Sequence, residues 1–176
     1  MLQSKSEIEE WHKAADPWGY ESNPDDARRK LILLSELPVR KYDSVLDIGC
    51  GQGFVTRDLP GKSILGVDVS KEAIQFANRY ATERINFRAG DLFHLDLVLD
   101  RSSFDLVLIT GVLYPQYIGD AHTLIYEIVD RLLADNGVLV SVHVNEWYKA
   151  RFPYLVLKEH SYGYRQYHHR LEVYTK

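Results

Sequence analysis

Residues 45–54 read Val-Leu-Asp-Ile-Gly-Cys-Gly-Gln-Gly-Phe. Glycines at 49, 51 and 53 let the backbone turn tightly and come close to a ligand, and a helix starting after them offers free N–H groups. The dinucleotide fingerprint G-x-G-x-x-G would need glycine at 54, where this chain has Phe54. Asp47 sets a carboxylate beside the loop. That charge would repel a pyrophosphate but suits a ligand carrying an ammonium or sulfonium group. Cys50, inside the loop, reads as a small packing residue rather than a reactive thiol. His168 and His169 are adjacent, so on a strand they point to opposite faces and chelate poorly; no metal is called for.

The elements that must position these residues follow from pattern. Ser44–Ile48 is a short buried strand, followed by the glycine loop and a brief helix ended by Pro60-Gly61. Ser63–Val67 is the second strand. Ser70 then caps a helix whose Ala73, Phe76, Ala77 and Tyr80 share one face. Ile85–Arg88 is a third strand, and Phe104–Ile109, almost continuous Leu/Val/Ile, is the buried middle of a parallel sheet. A helix carries Ile125, Ile128, Val129 and Leu132, Asn136-Gly137 turns, and Val138–Val144 is a fifth strand. Upstream, Asn23-Pro24-Asp25-Asp26 starts a helix that Leu37-Pro38 closes, with Arg28-Arg29-Lys30 read as its solvated face, the lesser alternative being an anion site. The stretches 154–162 and 167–175 suit a closing antiparallel hairpin.

At 176 residues and 45% apolar content, one domain with a real core is the natural reading. Net charge is 21 − 25 = −4, which gives no electrostatic reason to seek nucleic acid or an anionic membrane. A single cysteine implies no disulfide and fits a reducing cytoplasm. The first ten residues carry acids where a signal peptide would be apolar, and no apolar run approaches the ~20 residues of a membrane span. Nothing in the sequence specifies an oligomeric state. Aromatic residues, twelve of them tyrosine, concentrate toward the two ends of the chain.

The nine residues Val45–Gly53 resemble the first motif of the class I S-adenosylmethionine-dependent methyltransferases. Further matches come in order: Gly66-Val67-Asp68-Val69-Ser70, Gly90-Asp91-Leu92, Phe104-Asp105-Leu106-Val107, and Leu132 to Leu139. The resemblance covers about residues 44–144. It implies an α/β fold with a Rossmann-like seven-stranded sheet, mostly parallel with a C-terminal antiparallel hairpin and helices on both faces. It also implies S-adenosyl-L-methionine as cofactor. Gly49, Gly51 and Gly53 would approach its methionine part, with Asp47 near the amino group. Asp68, with Val69 beside it, would take both ribose hydroxyls through two acceptor oxygens. Asp91 and Leu92 would read the adenine edge, and Thr110-Gly111 would border the sulfonium. The bland alternatives are that the glycines only shape a turn and that Asp91 only caps a segment.

Asp16-Pro17-Trp18-Gly19-Tyr20, followed by Arg28-Arg29-Lys30 and Leu37-Pro38, is similar to the N-terminal segment of the nodulation-type N-methyltransferases, which modify the amino group of a glucosamine-containing oligosaccharide. That likeness implies that Trp18 and Tyr20 lie over cofactor and acceptor; the alternative is that Trp18 staples the leading helix to the sheet. Residues 1–40 are then a helical lid, 41–144 the cofactor core and 145–176 the hairpin of one domain. Methyl transfer to an amine or alcohol needs a proton acceptor near the ends of the fourth and fifth strands, and the candidates are His143 and Tyr114, each with packing as its alternative. Trp18, Tyr20, Tyr148, Tyr162 and Tyr164 are the positions expected to select the acceptor. Thr110–Tyr114 lacks the Asn/Asp-Pro-Pro-aromatic motif of enzymes acting on nucleic-acid amines. The expected partner is a small-molecule acceptor, an amino sugar or other saccharide foremost, with no nucleic acid and no membrane. Rival readings are a non-catalytic S-adenosylmethionine or S-adenosylhomocysteine-binding protein and a methyltransferase acting on protein or RNA.

Overall fold

A computed structural model describes residues 3–176. Seven strands form one sheet in the order β3-β2-β1-β4-β5-β7-β6. They are β1 (Ser44–Ile48), β2 (Ser63–Asp68), β3 (Ile85–Ala89), β4 (Phe104–Thr110), β5 (Leu133–Val144), β6 (Leu155–Tyr164) and β7 (Tyr167–Thr175). The first five run parallel, and β7 lies antiparallel between β5 and β6. The chain moves outward from β1 to β3 and then returns to β4 on the other side of β1. That reversal leaves a crevice at the carboxyl ends of β1 and β4, where open α/β sheets hold ligands.

Among the described residues five α-helices pack around the sheet: α1 (Lys5–Trp11), α2 (Pro24–Glu36), α3 (Lys71–Ala77), α4 (Pro115–Ile118) and α5 (His122–Leu132). Asn23 caps α2 by accepting from Asp25 N, and Pro24 fills the first turn, as the cap signals predict. Leu46, Leu106, Val107, Leu108 and Ile109 are fully buried, so β1 and β4 are covered on both faces.

Two local expectations shift. The brief helix after the glycine loop is one 3-10 turn, Thr56–Asp58. Asn136-Gly137 does not separate α5 from a later strand. Register jumps there from Phe104↔Leu133 to Leu106↔Val138, and Asn136 has φ 59°, so the turn persists as a bulge inside a longer β5.

Candidate active site

β1 delivers the chain into the glycine loop, which Gly49 and Cys50 pin to the next strand by donating to Val67 O at 2.8 and 3.0 Å. Gly49 has φ +77°, and a Cβ there would sit 2.1 Å from Val112 Cγ2. Gly51 has φ +53° with open space where a Cβ would stand, so its bare backbone borders the cavity. Asp68, at the end of β2, accepts from Gly51 N through Oδ2 and from Ser70 N through Oδ1, both at 2.9 Å. Burial pushes its carboxyl up, against the pull of those two hydrogen bonds.

Asp47 is 1% exposed. Thr56 Oγ1 donates to its Oδ2 at 2.6 Å, while Oδ1 has no partner among the described residues. Burial pushes this carboxyl up to about 6; the Thr56 hydrogen bond works downward and the Asp68 charge upward. A buried acceptor oxygen without a donor is costly, and an ammonium group would satisfy it. Cys50 is buried, and burial beside Asp68 and Asp47 pushes its thiol well up, which suppresses the thiolate.

These residues open on one cavity of about 560 Å³. Its wall brings together Asp47, Gly49, Gly51, Asp68, Val69, Asp91, Leu92, Thr110, Gly111, Tyr114, Trp18 and Tyr20. Asp91 both borders it and caps the following 3-10 turn, accepting from Phe93 N at 3.0 Å. Gly53 is left out: it faces away, crowded by Phe87, where a Cβ would stand 2.9 Å from that ring. His143 also lies off the wall. Its Nε2 accepts from Val112 N and Leu113 N at 3.3 and 3.1 Å, its Nδ1 meets Ser141 Oγ at 3.1 Å, and burial holds its pKa well below the usual value. A ring nitrogen already engaged by two amides is not free to take a substrate proton, so the geometry gives His143 the job of shaping the turn after β4. Tyr114 is on the wall. Its hydroxyl accepts from Val144 N at 2.9 Å and keeps its proton to donate, and burial pushes its pKa up.

Part of the cavity wall is aromatic. Trp18 stacks on Tyr20 with ring centroids 5.8 Å apart, Trp147 meets Tyr114 edge-on at 5.3 Å, and Tyr164 stacks on His169 at 3.9 Å. Burial and the neighbouring Arg29 charge push His169 down to about 3, so it stands as neutral imidazole. Tyr148 and Tyr162 do not reach this wall; they are 2% and 6% exposed and belong to the core on opposite faces of the sheet.

Residues 1–40 are expected to be helical, but no pattern marked a helix at 5–11. α1 turns Ile8, Trp11 and His12 toward the cavity, an i, i+3, i+4 face. Its signal was Ser4-x-x-Glu7, a reciprocal capping box in the structure. Glu9 fastens α1 by accepting from Ser70 Oγ, Lys71 N and Glu72 N at 2.6, 2.9 and 3.2 Å, capping α3 from another helix. Of Arg28-Arg29-Lys30, read chiefly as a solvated face, Arg29 is instead 7% exposed and borders the cavity.

The protein family described as "Methyltransferase domain" matches residues 40–171. A ubiquinone biosynthesis O-methyltransferase from Pelagibacter ubique is 26% identical over 168 residues, covering 84% of this chain and 68% of the relative. The chain thus spans about two thirds of that relative's length. Among solved structures, the N-methyltransferase NodS from Bradyrhizobium japonicum WM9, in complex with S-adenosylhomocysteine, superposes with a TM-score of 0.80 at 21% identity, covering 98% of this chain and 97% of its own. A chain of the Haloferax volcanii complex that contains the Trm112 methyltransferase activator matches at TM-score 0.63 and 26% identity, over 78% of this chain and 60% of that one. With its loop, acids and cavity in one place, the chain belongs to the methyltransferase-domain family and is a class I, S-adenosylmethionine-dependent methyltransferase.

Proposed function

We propose that the chain moves a methyl group to a nitrogen or oxygen of a small acceptor seated at the aromatic end of the cavity, and that the acceptor is of the saccharide type, an amino sugar included. One observation carries this reading: a single cavity joins the unpartnered Asp47 oxygen to the stacked Trp18–Tyr20 pair. When bound, S-adenosylmethionine supplies a methyl carbon activated by its sulfonium.

The chain's residues then divide the work. Asp47 takes the donor's ammonium, and the bare backbone at Gly49 and Gly51 gives the close approach. Asp68 keeps lone pairs for the ribose hydroxyls beside Val69, and Asp91 with Leu92 edges the adenine. Thr110 and Gly111 border the reacting centre. Trp18 and Tyr20, within a lid formed by residues 1–40, exclude water and offer flat faces on which a sugar ring stacks. Tyr114 donates its remaining proton to orient the acceptor. His169, neutral and on the wall, accepts a hydrogen bond from the nucleophile's N–H or O–H and so orients it; held down to about 3 it does not take the proton, which leaves to water.

The test is incubation of cell extract with isotopically labelled S-adenosylmethionine, the wild type against Asp68→Ala, followed by mass spectrometry. The reading expects a labelled small molecule that Asp68→Ala abolishes. Label recovered in protein or RNA would overturn it.

A further inference from the structure

Building on the reading of Trp18 as a wall of the acceptor's site, we propose that Arg165, at the tip of the β6–β7 hairpin, is the residue that positions Trp18. Tyr164 pairs with Tyr167, so Arg165 and Gln166 are the two central residues of the hairpin turn. Arg165 has φ 51°, a positive value that Gln166 does not share. A two-residue turn with positive φ at its first central position alone takes glycine there, because a Cβ crowds the backbone in that region. Here an arginine is kept where glycine fits best. Such a departure persists only where the surroundings fix it, and it points to what the side chain does.

The side chain ties two distant segments to the turn. One amino group, Nη2, donates to Trp18 O at 2.7 Å and to Asp26 Oδ2 at 2.6 Å, while Arg165 N donates to Asp25 Oδ2 at 3.2 Å. Charge pairing alone does not call for this arginine, since Asp26 also accepts from Tyr164 Oη at 2.8 Å and has Arg29 Nε 3.3 Å from its Oδ1. The Trp18 contact is what a second guanidinium adds. Asp16 shapes the Trp18 turn from within, accepting from Tyr20 N and Glu21 N at 2.9 Å each, and Glu21 anchors its other side to Arg57. Those bonds do not fix its distance from the hairpin; Arg165 does. The same hairpin carries Tyr164 and His169 on the cavity wall, so the clamp holds the indole at a set spacing from both.

In the full chain labelled with 5-fluorotryptophan, Trp11, Trp18 and Trp147 give three fluorine resonances, assigned with single Trp→Phe variants. Spectra of wild type, Arg165→Gly and Arg165→Asn are compared with S-adenosylhomocysteine bound. The rate of methyl transfer from labelled S-adenosylmethionine is then followed against increasing amounts of cell extract. Glycine suits the turn and asparagine tolerates positive φ, so both variants remove the clamp without straining the backbone. Trp147 packs on Tyr167 with ring centroids 4.7 Å apart and reports whether the hairpin itself moves.

In both variants the Trp18 resonance should shift toward its position in the unfolded protein, with Trp147 unmoved. Affinity for S-adenosylhomocysteine stays within about threefold, while the extract needed for half-maximal rate rises at least about fivefold at an unchanged maximal rate, the signature of lost ground-state binding. A Trp18 resonance that stays in place, or moves only together with Trp147, overturns the proposal. If Arg165→Gly alone fails to fold, Arg165→Asn decides; unfolding of both makes Arg165 a residue of stability only and overturns it too. A displaced Trp18 with an unchanged saturation curve supports the positioning and counts against Trp18 at the acceptor. Absence of any labelled small molecule with wild type counts against the proposed acceptor class, and the fluorine spectra still decide the role of Arg165.

Discussion

At the scale of single residues, the donor end rests on two acids with opposite conditions. Asp68 has both oxygens engaged by backbone amides, which fix its position while burial pushes its carboxyl up. Asp47 is poised near 6 because burial outweighs its one hydrogen bond. A raised acid pKa means the folded, unliganded protein binds more protons than the unfolded chain between about 4, the ordinary Asp value, and 6. The neutral carboxyl therefore stabilises the empty fold at low pH, and that contribution is lost as pH rises through 6. Ligand binding runs the other way. Affinity for S-adenosylhomocysteine should fall about tenfold per pH unit below 6 and level off above it, while Asp47→Asn binds weakly with a flat profile; calorimetry from pH 4.5 to 7.5 checks both. These two acids were legible in the sequence because they lie within a few residues of the glycines or at a strand end that pattern alone locates. Arg29 was not. Its neighbours Tyr164 and Arg165 lie well over a hundred residues on, and no spacing rule links positions so far apart.

At the scale of elements, α1 is short and has no buried residue, so packing alone does not hold it. Glu9 does, by supplying the carboxylate that the N-terminus of α3 attracts. Loss of such a cap costs about 1 kcal/mol, or about fivefold in rate if spent on opening. Glu9→Ala should therefore speed release of S-adenosylhomocysteine about fivefold in stopped-flow measurements, with the melting temperature nearly unchanged. An unchanged release rate would mean that α1 is not the barrier. The β6–β7 hairpin was readable from its aromatic and β-branched residues, whereas insertion of β7 beside β5 was not, since pairing order depends on tertiary packing rather than on either strand's own sequence. The Asn136-Gly137 bulge shows the same limit: a good local turn signal was absorbed by the longer strand that β4 imposed.

At the scale of the whole molecule, the sheet divides the labour. β1, β2 and β4 carry the donor-facing loop and acids, while α1, α2 and the β7 side bring the aromatic end. No helix among the described residues is long and apolar enough to cross a membrane. Deleting residues 1–22 removes α1 with Trp18 and Tyr20 but leaves every strand intact. The truncated chain should keep its circular dichroism and bind S-adenosylhomocysteine at least tenfold more weakly, with methyl transfer lost. Unchanged activity and product would exclude the lid.

The buried contact of Asp26 with Tyr164 and Arg165 has a consequence for descent as well as for stability. It ties the first long helix to the last hairpin across nearly the whole chain, so a change at Asp26 leaves both Arg165 and Arg29 without their shared carboxylate. A lineage that drifts toward a new acceptor must revise both ends together, while the glycine loop between them can be inherited untouched.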